Sequence, residues 1–194
     1  MKSQVLGQPL TIGSTASATA STRVDEVRLR AIVDAHFDAL WRFLRRLGIA
    51  EADVDDAVQE VILVLTRKLD QVESGSERAF VLSTAFRVAS SMRRQIKRRR
   101  EVAEAPLLEQ ASTAPNPEAS AEQRQLTVLF AHVLEQLSLE QRAVFVLYEL
   151  EELTMAEIAE TLALPPGTVA SRLRRGREAF EKLAARALSE GRLL

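Results

Sequence analysis

No stretch of this 194-residue chain alternates apolar with polar residues, whereas long stretches repeat their apolar positions at steps of three and four. Alternation is what a half-buried strand needs and the longer step is what one helix face needs, so the chain can bury its apolar residues only as helices packed on helices. Between about 24 and 47 the repeating positions are Val27, Val33, Phe37, Leu40, Trp41, Leu44 and Leu47, with Gly48 as a stop. A second helix is predicted over about 52–70, with Glu51, Asp53, Asp55 and Asp56 near its N-terminus, where carboxylates suit the helix dipole. Ser74 and Glu77 have the spacing of a capping box and predict a third helix starting there, running through Phe80, Val81, Phe86, Val88 and Met92 into a basic block.

The rest of the chain divides around a change in composition. Residues 1–22 are small and polar without a period and read as a disordered tail. Residues 101–120 hold three prolines among alanines and serines and read as a flexible interdomain linker with no stable packing of its own. Helices resume over about 118–137, and Ser138 with Gln141 and Thr154 with Glu157 supply two further capping signatures. The fold class is therefore all-α: two small helical domains, 23–100 with about three helices and 121–190 with about four, tethered by 101–120.

Composition narrows the chemistry. With no cysteine, disulfides, thiolate metal sites and cysteine nucleophiles are excluded, and two histidines far apart, His36 and His132, make a poor metal site. No glycine-rich phosphate loop or nucleophile with a base is evident, so no catalysis, metal or cofactor is expected. No apolar run approaches the roughly 20 residues of a spanning helix and the N-terminal stretch lacks the apolar middle of a signal peptide, which places the chain in the cytoplasm. The net charge is −1, yet residues 93–100 hold six basic side chains in eight positions and 172–177 hold four in six, while acids gather at 51–60 and 149–160. For nucleic-acid binding the distribution matters more than the sum.

The strongest local signal is TMAEIAETLALPPGTVASRLRRGREAF. It has a short helix (155–163), a tight turn at Leu164 and Pro165, and a second helix from Pro166, where a missing N–H costs nothing. At 100° per residue Val169, Leu173, Gly176 and Phe180 share one face, while Ser171, Arg174 and Arg175 point the other way. A helix buried on one side and basic on the other suits a major groove, with Thr168 and Ser171 near its N-terminus able to reach phosphates or base edges. The same pattern also fits a basic solvated face, or the output domain of a repressor or response regulator.

Two longer stretches carry a resemblance. Residues 139–183 resemble region 4 of extracytoplasmic-function (ECF) sigma factors of bacterial RNA polymerase. Residues 29–100 resemble region 2, above all in FDALWRFLRRLG, DVDDAVQEVILVL and ERAFVLSTAFRVASSMRRQIKRRR. The two matches cover about two thirds of the chain in the family's order, and the pairing is more specific than either part.

The resemblance implies promoter recognition with core RNA polymerase. On the second helix Asp53, Asp56 and Glu60 lie together, away from Val54, Val58, Val61 and Leu65; this acidic stripe, with Gln59, corresponds to the surface that docks on the β′ clamp helices. The loop 70–77 and the start of the third helix correspond to the part that captures a flipped base of the minus-ten element, offering Ser74, Gly75, Ser76 and Phe80, although a lone aromatic on an apolar face also reads as core. Arg87, Ser91 and Arg94 extend this surface, and Arg98 and Arg99 in the basic block would neutralise phosphates near the melted region. Thr168, Ser171, Arg172, Arg174 and Arg175 correspond to the surface for the minus-thirty-five element. The implied partners are core polymerase (β′ clamp helices and β flap), promoter DNA and an anti-sigma factor. Departures from the family pattern are Arg87 and Ser90–Ser91 in the promoter-reading helix, Ala163 where glycine is usual, and Ala170 in place of a common lysine. The rival readings are a homodimeric helix-turn-helix regulator, which would use 24–100 to sense or dimerise, and an adaptor or antagonist whose basic stretches are mere surface.

Overall fold

The computed structural model describes residues 14–103 and 121–189. Among these there are seven α-helices, one short 3-10 turn and no strand. Helices α1 (Ser14–Arg46), α2 (Glu51–Arg67) and α3 (Glu77–Ala103) form the N-terminal domain, with the 3-10 turn Leu69–Gln71 leading into the loop before α3. Helices α4 (Ala121–Glu135), α5 (Leu139–Glu149), α6 (Met155–Leu162) and α7 (Pro166–Ser189) form the C-terminal one. Residues 1–13 of the predicted tail and 104–120 of the predicted linker lie outside the described residues.

The apolar stripes become the core. In the N-terminal domain each of the three helices packs on the other two, around Phe43, Leu44, Leu47, Val54, Val61, Leu65 and Leu82. Gly48 ends α1 with φ +86 and lets Ile49 return its N–H to the Leu44 carbonyl. In the C-terminal domain α5 and α6 start at true capping boxes, Ser138 with Gln141 and Thr154 with Glu157, as the spacing predicts. The Phe180 ring packs between Phe130 and Phe145, at 5.4 and 4.9 Å, and ties α7 to α4 and α5.

Two local expectations need correcting. Helix α1 begins at Ser14, inside the stretch read as a disordered tail. Lengthening an existing helix needs only propagation, and the alanines at 16, 18 and 20 favour it, so an absent apolar period did not mean an absent helix. Ser74 and Glu77 do not form a capping box either, since α3 starts at Glu77, two residues later than that spacing implies. The Glu77 carboxylate instead accepts the Gly75 N–H at 2.6 Å, and the Ser76 carbonyl accepts the Phe80 N–H. The backbone N–H of Glu77 itself, then the Gly75 N–H and nearby Arg28, hold the Glu77 carboxyl below its usual range.

The linker's composition suggests two separately moving domains, yet in this structure they are docked. α6 packs on α3 and α5 touches α1, so one apolar cluster runs continuously from Ile32 to Leu173. Six consecutive residues of α5, Arg142–Leu147, are buried. A helix buried on every side needs neighbours on every side, and here α7, α6 and α1 provide them.

Candidate nucleic-acid interface

On α2 the burial pattern separates two faces. Val54, Val58, Val61 and Leu65 are buried, while Asp56, Gln59 and Glu60 are exposed and Asp53 is half-buried. Leu63, 48% exposed, lies one turn beyond Gln59 and Glu60 and adds an apolar end to the acidic stripe. The sequence analysis passed over it; the signal was the run VILVL, too wide for one stripe. An exposed large apolar residue bordered by acids is a surface suited to a basic, partly apolar partner.

The loop before α3 is tightly bonded to itself. Gly75 has φ +91, its N–H is taken by Glu77, and the Ser76 hydroxyl donates to the Glu73 carbonyl at 2.8 Å. Ser74 is exposed. Of the groups expected to meet a flipped base, the Gly75 N–H is therefore already engaged. Phe80 is half-buried and packed against the core, as its bland reading allowed.

Further along α3, Arg87, Ser91, Arg94 and Arg98 stand at steps of four, three and four, so they line one face. Arg87, Arg94 and Arg98 are exposed and Ser91 is half-buried; the Arg99 side chain lies outside the described ones. Opposite them Val81, Leu82, Ala85, Val88 and Ala89 are buried. A firmly seated helix thus presents a single basic stripe, the arrangement that phosphate contacts need.

In the C-terminal domain α6 and α7 form the expected helix-turn-helix. Ala163 caps α6 in the left-handed conformation, φ 51 and ψ 50, and the Leu164 N–H returns to the Ala159 carbonyl. The Glu157 carboxyl is held below its usual range, first by the Thr154 hydroxyl and then by the Thr154 N–H. Val169 and Leu173 are buried, while Arg174 and Arg175 are exposed and Thr168, Ser171 and Arg172 half-buried. The Ser171 hydroxyl donates to the Thr168 carbonyl, leaving its oxygen as an acceptor. Arg174 pairs with Glu178 at 2.6 Å, but both side chains are well exposed and such a pair yields readily to a phosphate or a base. Arg177 is differently placed: it pairs with Glu149 and lies 5.0 Å from the Tyr148 ring, which joins α7 to α5 rather than to DNA.

A second polar cluster, which the sequence analysis missed, lies where the domains meet. Glu151 is buried and meets Arg46 of α1 at 2.9 Å and Arg78 of α3 at 3.3 Å. Arg142 is fully buried; its Nη2 donates to the Leu137 carbonyl, and its Nη1 is 2.5 Å from where a Cβ on Gly48 would sit. The Arg93 guanidinium reaches the Leu47 carbonyl from the other side. Periodicity cannot reveal such partners, because the charges come from opposite domains. Among the described residues no group of acids, histidines or cysteines could hold a metal ion, and no helix is long and apolar enough to cross a membrane.

Comparison with known proteins matches this division. The model of sigma-70 region 2 matches residues 32–100 and that of sigma-70 region 4 matches residues 127–180, together more than half of the chain. The ECF RNA polymerase sigma factor SigE of Mycolicibacterium smegmatis is 29% identical over 160 residues, covering 82% of this chain and 62% of that protein. The RNA polymerase sigma factor NccH of Alcaligenes xylosoxydans xylosoxydans is 28% identical over 169 residues, covering 84% of this chain and 89% of that protein. Among solved structures the fold is shared with the sigma factor RpoE in complex with the anti-sigma factor NepR from Bartonella quintana, with a TM-score of 0.69 at 22% identity over 79% of this chain and 94% of that one. It is shared also with CnrH in complex with the cytosolic domain of CnrY, with a TM-score of 0.59 at 24% identity over 80% of this chain and 86% of that one. The region that a homodimeric regulator would use to sense or dimerise is the one that matches region 2, and that rival reading is not favoured. With both regions present in the family's order, the chain belongs to the sigma-70 family, as an ECF sigma factor.

Proposed function

We propose that this chain docks on core RNA polymerase through Asp53, Asp56, Gln59, Glu60 and Leu63, and directs it to promoters with its two basic surfaces. The observation that carries this reading is the presence on one chain of two separate basic faces, on α3 and α7, together with an acidic stripe on α2 that faces neither core. The acidic stripe is suited to the β′ clamp helices and the C-terminal domain to the β flap. On α7, Arg174 and Arg175, with Thr168, Ser171 and Arg172, read the minus-thirty-five element. On α3 and the loop before it, Ser74, Ser76, Phe80, Arg87, Ser91 and Arg94 engage the minus-ten element, and Arg98 and Arg99 neutralise phosphates beside the melted strands.

The domain division at 23–100 and 121–190 belongs to the same proposal, as do action in the cytoplasm and the absence of any catalytic step by the chain itself. An anti-sigma factor is a fitting regulator, since the structurally similar sigma factor RpoE was captured with the anti-sigma factor NepR. Transcription reconstituted from core polymerase and the full chain on genomic fragments tests the reading. Start sites that share an upstream and a minus-ten element support it; core polymerase that initiates no differently with the chain than without it overturns it.

A further inference from the structure

We propose that Arg28 is a positioning residue for minus-ten recognition: reaching over from α1, it braces the loop before α3 in the shape that takes up an extruded base, and so sets how strictly that base is read. The inference rests on the reading of that loop as a minus-ten surface for what the brace serves, and on the structure alone for the brace itself.

One side chain ties both ends of the loop. Arg28 donates from Nη1 to the Leu69 carbonyl at 3.1 Å and from Nη2 to the Val72 carbonyl, so its fork grips the 3-10 turn on which the loop is mounted. The Leu69 and Val72 side chains are buried, which fixes the same two residues from the core side. At the far end Arg28 Nη2 lies 3.9 Å from Glu77 Oε1, while Glu77 Oε2 accepts the Gly75 N–H at 2.6 Å. Only residues 73–76 remain between these anchors, and there the Glu73 carbonyl accepts both the Ser76 N–H, at 3.1 Å, and the Ser76 hydroxyl, at 2.8 Å. Ser74 is left exposed at the tip, beside Gly75 with its φ of +91. The acceptors of Arg28 lie 41 and 44 residues away in sequence, so no local pattern announces the brace.

A planar guanidinium suits this task, because its donors form a rigid fork that can hold two carbonyls at once; an ammonium is a compact point charge on a flexible stem. The ion pair with Glu77 is partly open to solvent, with the Arg28 side chain 33% exposed, so the hold comes chiefly from the two charge-assisted bonds to carbonyls. An extruded base gives up its stacking and pairing, and a loop that had to be ordered at the same moment would add its own lost entropy. With residues 73–76 ordered beforehand, that second cost is absent and the contacts made by the loop go to the base. The brace therefore acts on discrimination between bases. It leaves alone the phosphate attraction of Arg94 and Arg98, which is indifferent to the base.

Two measurements on the full chain test this. Glutamate-specific proteolysis of the free protein reads the brace without DNA: Glu73 is exposed, and cleavage after it should be about tenfold faster in Arg28→Ala and in Glu77→Ala than in the parent chain, with helical circular dichroism kept. Arg28→Lys should recover the resistance only in part. Holoenzyme is then titrated with templates whose non-template minus-ten strand is single and carries an abasic site at each position in turn. For the parent chain, removing the base at one position should weaken binding about tenfold. Arg28→Ala should shrink that loss to about twofold, by weakening binding of the intact template while leaving the abasic one unchanged. Glu77→Ala should do the same, and the double variant no more than either, since both act through one loop. Equal weakening on intact and abasic templates would make Arg28 a phosphate contact or a prop of the whole domain and overturns the proposal, as does unchanged cleavage after Glu73 in both variants. A parent chain for which no base matters overturns the loop's part in base capture and with it the brace's part in specificity; faster cleavage after Glu73 would then still establish the brace.

Discussion

The two domains solve the same problem in different ways. The N-terminal one buries a nearly pure apolar core, and among its described residues Thr84 is the one buried polar side chain. The C-terminal one, built of four helices, buries Arg142, Glu151 and Thr161. The first can meet its packing needs from its own three helices, and its charges are left over for partners on the outside. The second hides Glu151, whose ion-pair partners Arg46 and Arg78 lie in the first, and Arg142, which donates to the Leu137 carbonyl of its own domain.

The comparison breaks most easily on α2. If the N-terminal domain is a stable platform with spare charge, Asp56→Arg with Glu60→Arg should leave thermal unfolding unchanged and still weaken core-polymerase binding by several kcal/mol, about a hundredfold or more, because like charges meet across the contact. A fluorescence titration with labelled core polymerase measures this. Normal binding by the folded variant removes the stripe from the interface.

Two glycines sharpen it further. Gly48→Ala should cost about 2–4 kcal/mol, combining a left-handed penalty with overpacking, since its Cβ would lie 2.5 Å from Arg142 Nη1 and 2.7 Å from Arg93 Nη1. Gly75→Ala carries a similar φ of +91 but nothing lies within 4 Å, and should cost only about 1 kcal/mol. Urea unfolding of both variants isolates the part due to crowding by Arg142 and Arg93. Equal losses would mean that Arg142 and Arg93 move aside freely.

The two basic faces should differ in the same sense. Arg174→Ala or Arg175→Ala should cost on the order of 1–3 kcal/mol on the correct upstream element and much less on a scrambled one, as expected for an arginine paired with a guanine. Arg98→Ala with Arg99→Ala should weaken binding on every sequence and flatten its salt dependence. A salt titration of holoenzyme on matched and scrambled templates reads both. Equal losses on the two templates for Arg174→Ala and Arg175→Ala would make α7 a phosphate-gripping helix.

Much of the fold was legible because helix faces and caps are local. The stripe of α2, the caps at Ser138 and Thr154, and the buried and basic faces of α7 need only neighbours within one or two turns. The start of α1 was not legible, because a helix extended through alanine and serine carries no amphipathic signal. The cap at Ser74 misled, because Glu77 has a nearer donor in Gly75. The docking of the domains was hidden for a deeper reason: Glu151 and Arg46 are 105 residues apart, and nothing in either neighbourhood announces the other. A resemblance could place Arg87 and Arg175 on DNA-facing helices, but not the ion pairs that join Glu151 to Arg46 and Arg78.

The smallest effect concerns the turn of the helix-turn-helix, where the sequence departs from its family and the structure shows the consequence. Ala163 stands at φ 51 and ψ 50, and its left-handed state is fixed by two bonds, its own N–H to the Glu160 carbonyl at 3.1 Å and the Leu164 N–H to the Ala159 carbonyl at 2.8 Å. A side chain in this conformation costs about 1–2 kcal/mol, and glycine would remove that cost while making the unfolded chain freer by about 0.4–1 kcal/mol. Ala163→Gly should therefore stabilise the protein by about 0.5–1 kcal/mol. Ala163 is exposed, so no packing is lost, and the bonds that aim α7 are made by backbone groups that the change leaves in place. Affinity for the upstream element should stay within about twofold, because the orientation of Arg174 and Arg175 is unaltered. Urea unfolding beside a binding titration checks both halves. A loss of stability would show that Ala163 is not held left-handed in solution, and a gain in stability with altered promoter choice would show that the strain at this turn sets the angle of the recognition helix.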